Sequence, residues 1–284
     1  MPLQYRIEYH AINTYDAGSK GAVWQFLITP EINESQHLEN AKFINSIDEP
    51  ATHSINGYGF TTFRIHTKKE VNEISFKAVF TILKDEINPF EKYKITDLQE
   101  DYATLDTLSF RAYYEPFLKE TKLTTLPKAF KNYFIFDTSV SIFENLQKLN
   151  HKVFKSINFS SGVTHTDTTL EEILQIQSGV CQDFAHLFCA VARENKIPTR
   201  YVSGYLHQGS GFFGDSQMHA WVECYVPNMG WVGFDPTNNI LADHHHIKVC
   251  HGKNYTDCAP IKGIVYTAGS NETIYNVSVA SQQQ

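Results

Sequence analysis

The chain has 284 residues, of which 42% are hydrophobic and 19% charged, and this composition is typical of a soluble globular protein with one or two cores. The formal net charge of -7 and the lack of a Lys/Arg cluster argue against nucleic acid as a partner. No stretch reaches the roughly 20 apolar residues that a membrane span needs, so we expect no membrane partner either.

The N-terminus and the cysteines predict the cellular compartment. The opening stretch MPLQYRIEYHAINTYDAG lacks the basic region, the uninterrupted apolar run and the cleavage site of a signal peptide. The five cysteines cannot all pair, and their spacing shows no regular disulfide framework. We therefore expect a reduced, cytoplasmic protein.

Residues 1–135 alternate polar and apolar side chains in short segments, which predicts strands with one buried face. Asn56 and Gly57 lie between apolar flanks and predict a hairpin turn. A short helical or irregular piece is expected from about Leu98 to Phe117. We predict an antiparallel β-sandwich built from the segments QYRIEYHA, AVWQFLIT, GFTTFRIHT and NEISFKAVFTIL.

The second predicted domain, residues 136–284, begins with a helical period and ends in strands. Thr168 and Glu171 have the spacing of a capping box ahead of a helix. The stretch SGVCQDFAHLFCAVARENKIP, Ser178 to Pro198, has apolar residues three and four positions apart and predicts a buried helix. The extended segments TRYVSGYL, MHAWVECYV and WVGFDPT follow, and later strands end at ETIYNVSV.

Cys181 is placed in the first turn of that buried helix. Unpaired backbone N–H groups and the aligned peptide dipoles favour negative charge at a helix N-terminus, so a thiolate is stabilised there. Gly179, two residues earlier, allows close backbone approach. The position therefore suits a nucleophile.

A base and an orienting group follow in the sequence. His219 begins one strand, Asp235 ends the next, and PNMG between them predicts a hairpin turn. If Val226 pairs with Gly230, Asp235 faces Trp221 and lies one diagonal from His219. Asp235 would then fix the tautomer of His219, whose other ring nitrogen would point at Cys181.

The motifs GVCQDFAHL, RYVSGYL, HAWVE and GWVGFDPTN, in this order, resemble the bacterial transglutaminase-like family of papain-type thiol enzymes. The similarity runs from about Ser139 through HIKVCHGKNYTDCAPIKG, and the β-rich first part resembles the domain that accompanies this core. The resemblance implies an α+β fold, in which the sandwich is followed by a nucleophile helix packed on an antiparallel sheet. It implies Cys181 as nucleophile, His219 as base and Asp235 as orienter, with an acyl-thioester intermediate.

These observations lead to two classes of function. The first is a thiol-dependent amide hydrolase, a cysteine peptidase acting on a peptide or protein, with acyl transfer to an amine as its alternative. The second is a non-catalytic binding module on the same fold. In the enzyme the backbone N–H of Cys181 would hold the oxyanion, and a second donor is left open among Gln175, Gln177 and Trp221.

Several neighbouring side chains have both a functional and a structural interpretation. Trp221 and Gln182 are the candidate substrate-binding residues, although each is also suited to packing or to the helix start. Asp183 suits the helix dipole. Glu223 could tune the charge of His219, but a solvated edge carboxylate is the favoured interpretation.

The remaining histidines and cysteines are predicted to be structural. His186 is expected to be a packed or hydrogen-bonded histidine, and Cys189 and Cys224 small buried hydrophobes. The stretch DHHHIKVCHGKNYTDC gathers histidines and cysteines, but its spacing matches no usual zinc ligand pattern, so a solvated loop near the site rim is expected. We predict catalysis without a metal or other cofactor.

Overall fold

The computed structural model describes residues 2–91, 97–207 and 211–282, and its first part consists of antiparallel strands. Every second residue from Ile74 to Ile82 is buried, as the alternation predicts. The side chain of Asn56 accepts hydrogen bonds from the backbone of Tyr58 and Phe60 and so closes the predicted hairpin. The strands are β1 (Leu3–Ser19), β2 (Ala22–Phe26), β3 (Gln36–Asn45), β4 (Thr52–Ile55), β5 (Thr61–Thr67) and β6 (Val71–Lys84).

Helices dominate the middle of the chain. The capping box lies one residue later than predicted, with Thr169 and Glu172 as the reciprocal pair, because the hydroxyl of Thr168 accepts from the backbone of His165 instead. The elements are α1 (Leu98–Asp106), α2 (Leu108–Tyr113), α3 (Glu115–Leu118), a 3-10 turn (Lys128–Phe130), α4 (Ile142–Ser156), β7 (Asn158–Phe159), α5 (Leu170–Ile176), β8 (Ser178–Gly179) and α6 (Cys181–Glu194).

An antiparallel sheet follows α6 and packs against it. Cys189 of α6 and Cys224 of the sheet are both fully buried, as predicted. Helix α6 therefore lies on the sheet through an apolar face. The elements are β9 (Thr199–Leu206), β10 (His219–Val226), β11 (Gly230–Asp235), β12 (Ile240–Leu241), β13 (His246–Gly252) and α7 (Tyr255–Cys258), with the strand order β12-β11-β10-β9-β13.

The last strands, β14 (Ile261–Val265) and β15 (Asn271–Gln282), do not extend this sheet. They pair with β2 and β1, so the two layers of the sandwich are ordered β15-β1-β6-β3 and β14-β2-β5-β4. The predicted second domain is thus corrected at its C-terminal end, because residues 261–282 complete the N-terminal sandwich. Periodicity marks a strand but does not select its partner.

The sandwich is fixed to the core along β13. The backbone N–H of Glu31 donates to the carbonyl of Lys248 at 2.8 Å, and the side-chain amide of Gln36 bonds both backbone groups of Lys248. The Tyr205 hydroxyl donates to the carbonyl of Ile28 at 2.6 Å. Among the described residues, no helix has the length and apolar character to cross a membrane.

Candidate active site

Cys181 is the first residue of α6, and it is partly exposed where the other cysteines are buried. The first four N–H groups of a helix have no intrahelical acceptor, so the amide of Cys181 is free to bind an anion. The helix therefore presents a thiol and an N–H donor at one point, as the sequence predicts.

The start of α6 is held by Asp183. The carboxylate oxygen Oδ2 accepts from the backbone N–H of Val180 at 2.8 Å and from the hydroxyl of Thr164 at 2.6 Å. A methyl group on Gly179 would lie 2.9 Å from Asp183 Cβ, so only glycine fits beside the buried carboxylate. Burial raises the pKa of Asp183. These contacts fix the backbone on which Cys181 stands.

The predicted register places His219 beside Asp235. Val226 pairs with Gly230, as predicted, and the ladder continues to Val222 and Phe234. Because side chains alternate between the faces of a strand, His219 and Asp235 emerge on the same face. His219 Nε2 lies 2.8 Å from Asp235 Oδ2, with both side chains fully buried.

The carboxylate of Asp235 is surrounded by donors. Its Oδ1 accepts from the backbone N–H groups of Thr237 at 3.0 Å and Asn238 at 3.2 Å. Its Oδ2 lies 2.8 Å from His219 Nε2, 2.8 Å from the amide nitrogen of Asn238 and 3.2 Å from His246 Nε2. A buried carboxylate with this many donors stays ionised.

Opposite effects act on the two partners of this pair. Burial alone would lower the pKa of His219, but the charge of Asp235, their hydrogen bond and the nearby Cys181 raise it to about 10. Burial alone would raise the pKa of Asp235, but His219 and His246 hold it well below its usual range. Both shifts favour the charged forms of the pair, an imidazolium beside a carboxylate.

The second ring nitrogen, His219 Nδ1, is the one left for Cys181. It is buried and makes no hydrogen bond of ordinary geometry within the described residues, although Cys181 is close enough to raise the pKa of His219. Such catalytic contacts are often loose until a substrate binds. The backbone of Gly214 covers the same nitrogen, since a methyl group there would lie 2.6 Å from Nδ1.

Neither candidate substrate residue is open to solvent. Trp221 is 2% exposed, stacks on His219 with 6.3 Å between ring centroids, and meets the His246 ring edge-on at 5.2 Å. The amide of Gln182 donates to the carbonyl of His165 at 3.3 Å. Trp221 also forms part of the wall of a cavity of about 560 Å³ between the sandwich and the sheet. Their contact with substrate stays a prediction.

His186 lies in α6, fully buried. Its Nε2 accepts from the backbone N–H of Tyr255 at 3.1 Å, as expected for a structural histidine.

Glu223 differs from its expectation. It is not a solvated edge carboxylate, because it lies 2.5 Å from Arg200 Nε and 2.9 Å from Lys248 Nζ and is largely covered. Burial would raise the pKa of Glu223, but Lys248 and Arg200 lower it to about 2. The sequence shows that Glu223 lies on the same strand face as His219. It does not show the contacts with Arg200 and Lys248, which come from other strands.

The histidine-rich stretch also differs from the predicted solvated loop. His246 begins β13, is 2% exposed and contacts Asp235, so it belongs to the candidate site. Asp243, His244 and His245, just before it, are partly exposed. Alternation in HIKVC could have indicated a strand, and the polar Asn238 after DPT could have indicated a turn around Asp235.

Two groups in the described part of the chain have donor atoms close enough for a metal ion, within 4.8 Å of one another. One comprises His219, Asp235 and His246, whose donor atoms already satisfy one another by hydrogen bonds. The other comprises Asp243, His244 and His245 on the rim. A metal in the first group would compete with the hydrogen bond that orients His219.

Residues 134–236 match the model of the Transglutaminase-like superfamily. An uncharacterized protein of Mycobacterium tuberculosis is 37% identical over 145 residues, which is 48% of this chain and 46% of that protein. A protein-glutamine gamma-glutamyltransferase of Pseudomonas aeruginosa is 32% identical over 104 residues, 34% of this chain and 15% of that enzyme. The chain thus spans about half the length of the mycobacterial relative.

The whole fold has a counterpart among solved structures. A protein of Cytophaga hutchinsonii, provisionally described as a cysteine protease, superposes with a TM-score of 0.79 at 19% identity. The match covers 100% of this chain and 92% of the other. The predicted α+β fold, a β-sandwich with a transglutaminase-like core, is therefore confirmed.

Proposed function

Because the chain contains a transglutaminase-like domain, we propose that it is a thiol-dependent amide hydrolase, a cysteine peptidase acting on a peptide or isopeptide bond. The observation that carries the proposal is the buried His219–Asp235 pair next to a partly exposed thiol at a helix N-terminus. A scaffold has no need of these three groups together. The reduced, cytoplasmic setting remains a prediction.

The reaction follows from the groups in place. The thiolate of Cys181 attacks the amide carbonyl, and the new oxyanion lies against the Cys181 N–H and the positive helix end. The imidazolium of His219 protonates the leaving nitrogen as the C–N bond breaks, which leaves an acyl-thioester. Neutral His219 then takes a proton from water, which attacks the thioester and releases the acid with free Cys181.

A second candidate is acyl transfer to an amine. It is favoured by the similarity to a protein-glutamine gamma-glutamyltransferase over 104 residues. The first half of the reaction is the same, and a primary amine then takes the place of water as the attacking group. The fate of the thioester decides between the two.

One experiment separates these reactions. A peptide library is incubated with the protein, with and without a primary amine, and the products are analysed by mass spectrometry. New termini or deamidated side chains without amine support the hydrolase, and amine adducts support the transferase. The absence of any product, together with slow alkylation of Cys181 by iodoacetamide at pH 6, would leave only the binding module.

Variants test the named residues. Cys181→Ala should abolish covalent chemistry, a loss approaching ~10⁶-fold in kcat if hydrolase triads are a guide. His219→Gln should be almost as inactive. His186→Gln is the matched control, because His186 is also fully buried but contacts only structural groups. Near-normal turnover by purified Cys181→Ala would refute the thiol mechanism.

Catalysis should also survive removal of metals. The thiolate is already an activated nucleophile, so a metal-bound water is not needed. Activity is measured after exhaustive EDTA treatment in the presence of a reductant. If activity is lost and one equivalent of a divalent metal restores it, the proposal is contradicted. The donor groups near His246 would then be the candidate metal site.

A further inference from the structure

We propose that His246 is a positioning residue of the site, an imidazole that donates its Nε2–H to the same oxygen of Asp235 that holds His219. Asp235 would then divide its charge between two imidazoles. The role deepens the proposed thiol chemistry and rests on it. It was not foreseen from the sequence, where the residue lies in a run of three histidines.

The contact itself is short and enclosed. His246 Nε2 lies 3.2 Å from Asp235 Oδ2, and the His246 side chain is 1% exposed. The ring of Trp221 packs edge-on against it at 5.2 Å, and the ring of His219 lies 6.2 Å away. Because His246 opens β13 while Asp235 closes β11, the contact joins two strands that are not neighbours in the sheet.

The tautomer of His246 follows from its other nitrogen. The backbone N–H of Asp243 lies 3.2 Å from His246 Nδ1 and can act only as a donor, so Nδ1 accepts. The nearer carboxylate oxygen of Asp243, at 3.4 Å, already has the backbone N–H and ring nitrogen of His245 at 2.9 and 3.0 Å. The proton of a neutral His246 is therefore on Nε2, facing Asp235.

A second donor on Oδ2 changes what His219 experiences. Hydrogen bonds to a carboxylate reduce the negative potential that it exerts on a third group, so His246 limits how strongly Asp235 stabilises the imidazolium form of His219. Without that limit the imidazolium would release its proton less readily to the leaving group. Cys181 is the other titratable group that acts on His219, and Asp243 and His244 are the titratable groups beside His246.

The tautomer can be tested in the unaltered protein. Nitrogen-15 NMR of the histidine side chains reports which ring nitrogen carries a proton. We expect His246 to carry a proton on Nε2 and none on Nδ1. A proton on Nδ1, in either the neutral ring or the imidazolium, would overturn the proposal without any variant being made.

Variants then test the effect on His219. In His246→Leu the donor is lost, and the midpoint of the His219 NMR titration should move to higher pH by about 0.5 to 1 pH unit, a fraction of what a hydrogen bond to a charged group is worth. In His246→Gln an amide N–H can replace the donor, and the midpoint should return toward that of the wild type. His186→Leu, at a fully buried histidine whose ring bonds the backbone of Tyr255, is the matched control and should leave it unchanged.

Alkylation of Cys181 by iodoacetamide separates tuning from folding. A tuning role leaves the rate at pH 7 within about threefold in His246→Leu, since the surroundings of the thiol are unchanged. A slower rate with an unmoved or lowered His219 midpoint would show a merely structural role and overturn the proposal. If wild-type Cys181 is no more reactive than the other cysteines, the proposed function fails, whereas the NMR result still decides the role of His246.

Discussion

The fully buried side chain of Asp235 accepts five hydrogen bonds, from two backbone amides, one side-chain amide and two imidazoles. An isolated buried carboxylate would take up a proton, because burial disfavours charge. Here the donors offset that cost. The residue can therefore act as a fixed negative charge that orients His219, whatever the pH within the physiological range.

We predict that Asp235→Asn lowers turnover by about 10⁴-fold, as in hydrolase triads, because the amide can hold His219 in the wrong tautomer. Turnover is measured on a peptide identified in the library screen, and folding by thermal denaturation. The loss would be smaller if the amide keeps the correct tautomer. A variant unchanged in turnover and in the pH profile of Cys181 alkylation would show that Asp235 only maintains the fold.

His219 should make the free energy of unfolding depend on pH in the neutral to alkaline range. Its folded-state pKa of about 10 exceeds the ordinary value of 6.5, so its contribution is fully present below pH 6.5 and is lost as pH rises toward 10. The free energy of unfolding is measured from pH 6 to 10 for the wild type and His219→Gln. The difference between them should shrink as pH rises.

His186 is a control, because its effect on the free energy of unfolding should depend on pH in the opposite direction. Burial lowers the pKa of His186 to about 3, so its contribution is present above pH 6.5 and is lost as pH falls below that value. His186→Gln should therefore change the acid side of the stability profile and not the alkaline side. If both variants respond alike, the raised pKa of His219 is not the cause.

At the level of elements, the start of α6 depends on a glycine. Gly179→Ala would bring a methyl group to 2.9 Å from Asp183 Cβ and displace the carboxylate that caps the helix. Loss of a cap costs about 1 kcal/mol, and a shift of the nucleophile by ~1 Å can cost 10²-fold in rate. We expect both effects, measured by urea unfolding and by turnover of a peptide from the library screen. Gly57→Ala, which meets nothing within 4 Å, is the control.

The elements also show what a sequence can predict. Cys181, His219 and Asp235 lie where the sequence places them, because a helix start and a two-strand hairpin are local features with a fixed register. His246 was missed because its contact with Asp235 depends on how β13 is placed beside β9, which no local pattern records. For the same reason the pairing of β15 with β1 was not foreseen.

At the level of the whole molecule, the sandwich and the core are joined by a group of charges behind the site. Lys248 lies 2.9 Å from Glu223 and 3.4 Å from Glu31, which belongs to the sandwich. Arg200 pairs with Glu223 and stacks on the Trp231 ring at 4.1 Å. The cavity that Trp221 and His246 border has these charges in its wall. The same charged contacts therefore join the sandwich to the core and line the cavity beside the candidate site.

Replacing Lys248 tests this arrangement. Lys248→Met leaves Glu223 largely covered with only Arg200 as partner, and breaking a buried ion pair costs about 3 to 5 kcal/mol. Because the pKa of Glu223 is lowered to about 2, the contribution of the carboxylate is present above its ordinary value of 4.5 and is lost as pH falls toward 2. Urea unfolding should therefore show a large penalty at pH 7 and a smaller one at pH 3.

Lys148→Met is the control, because it removes an exposed pair with Glu144 and should cost no more than about 0.5 kcal/mol at either pH. Equal penalties for the two variants would mean that the charges between sandwich and core do not hold the domains together.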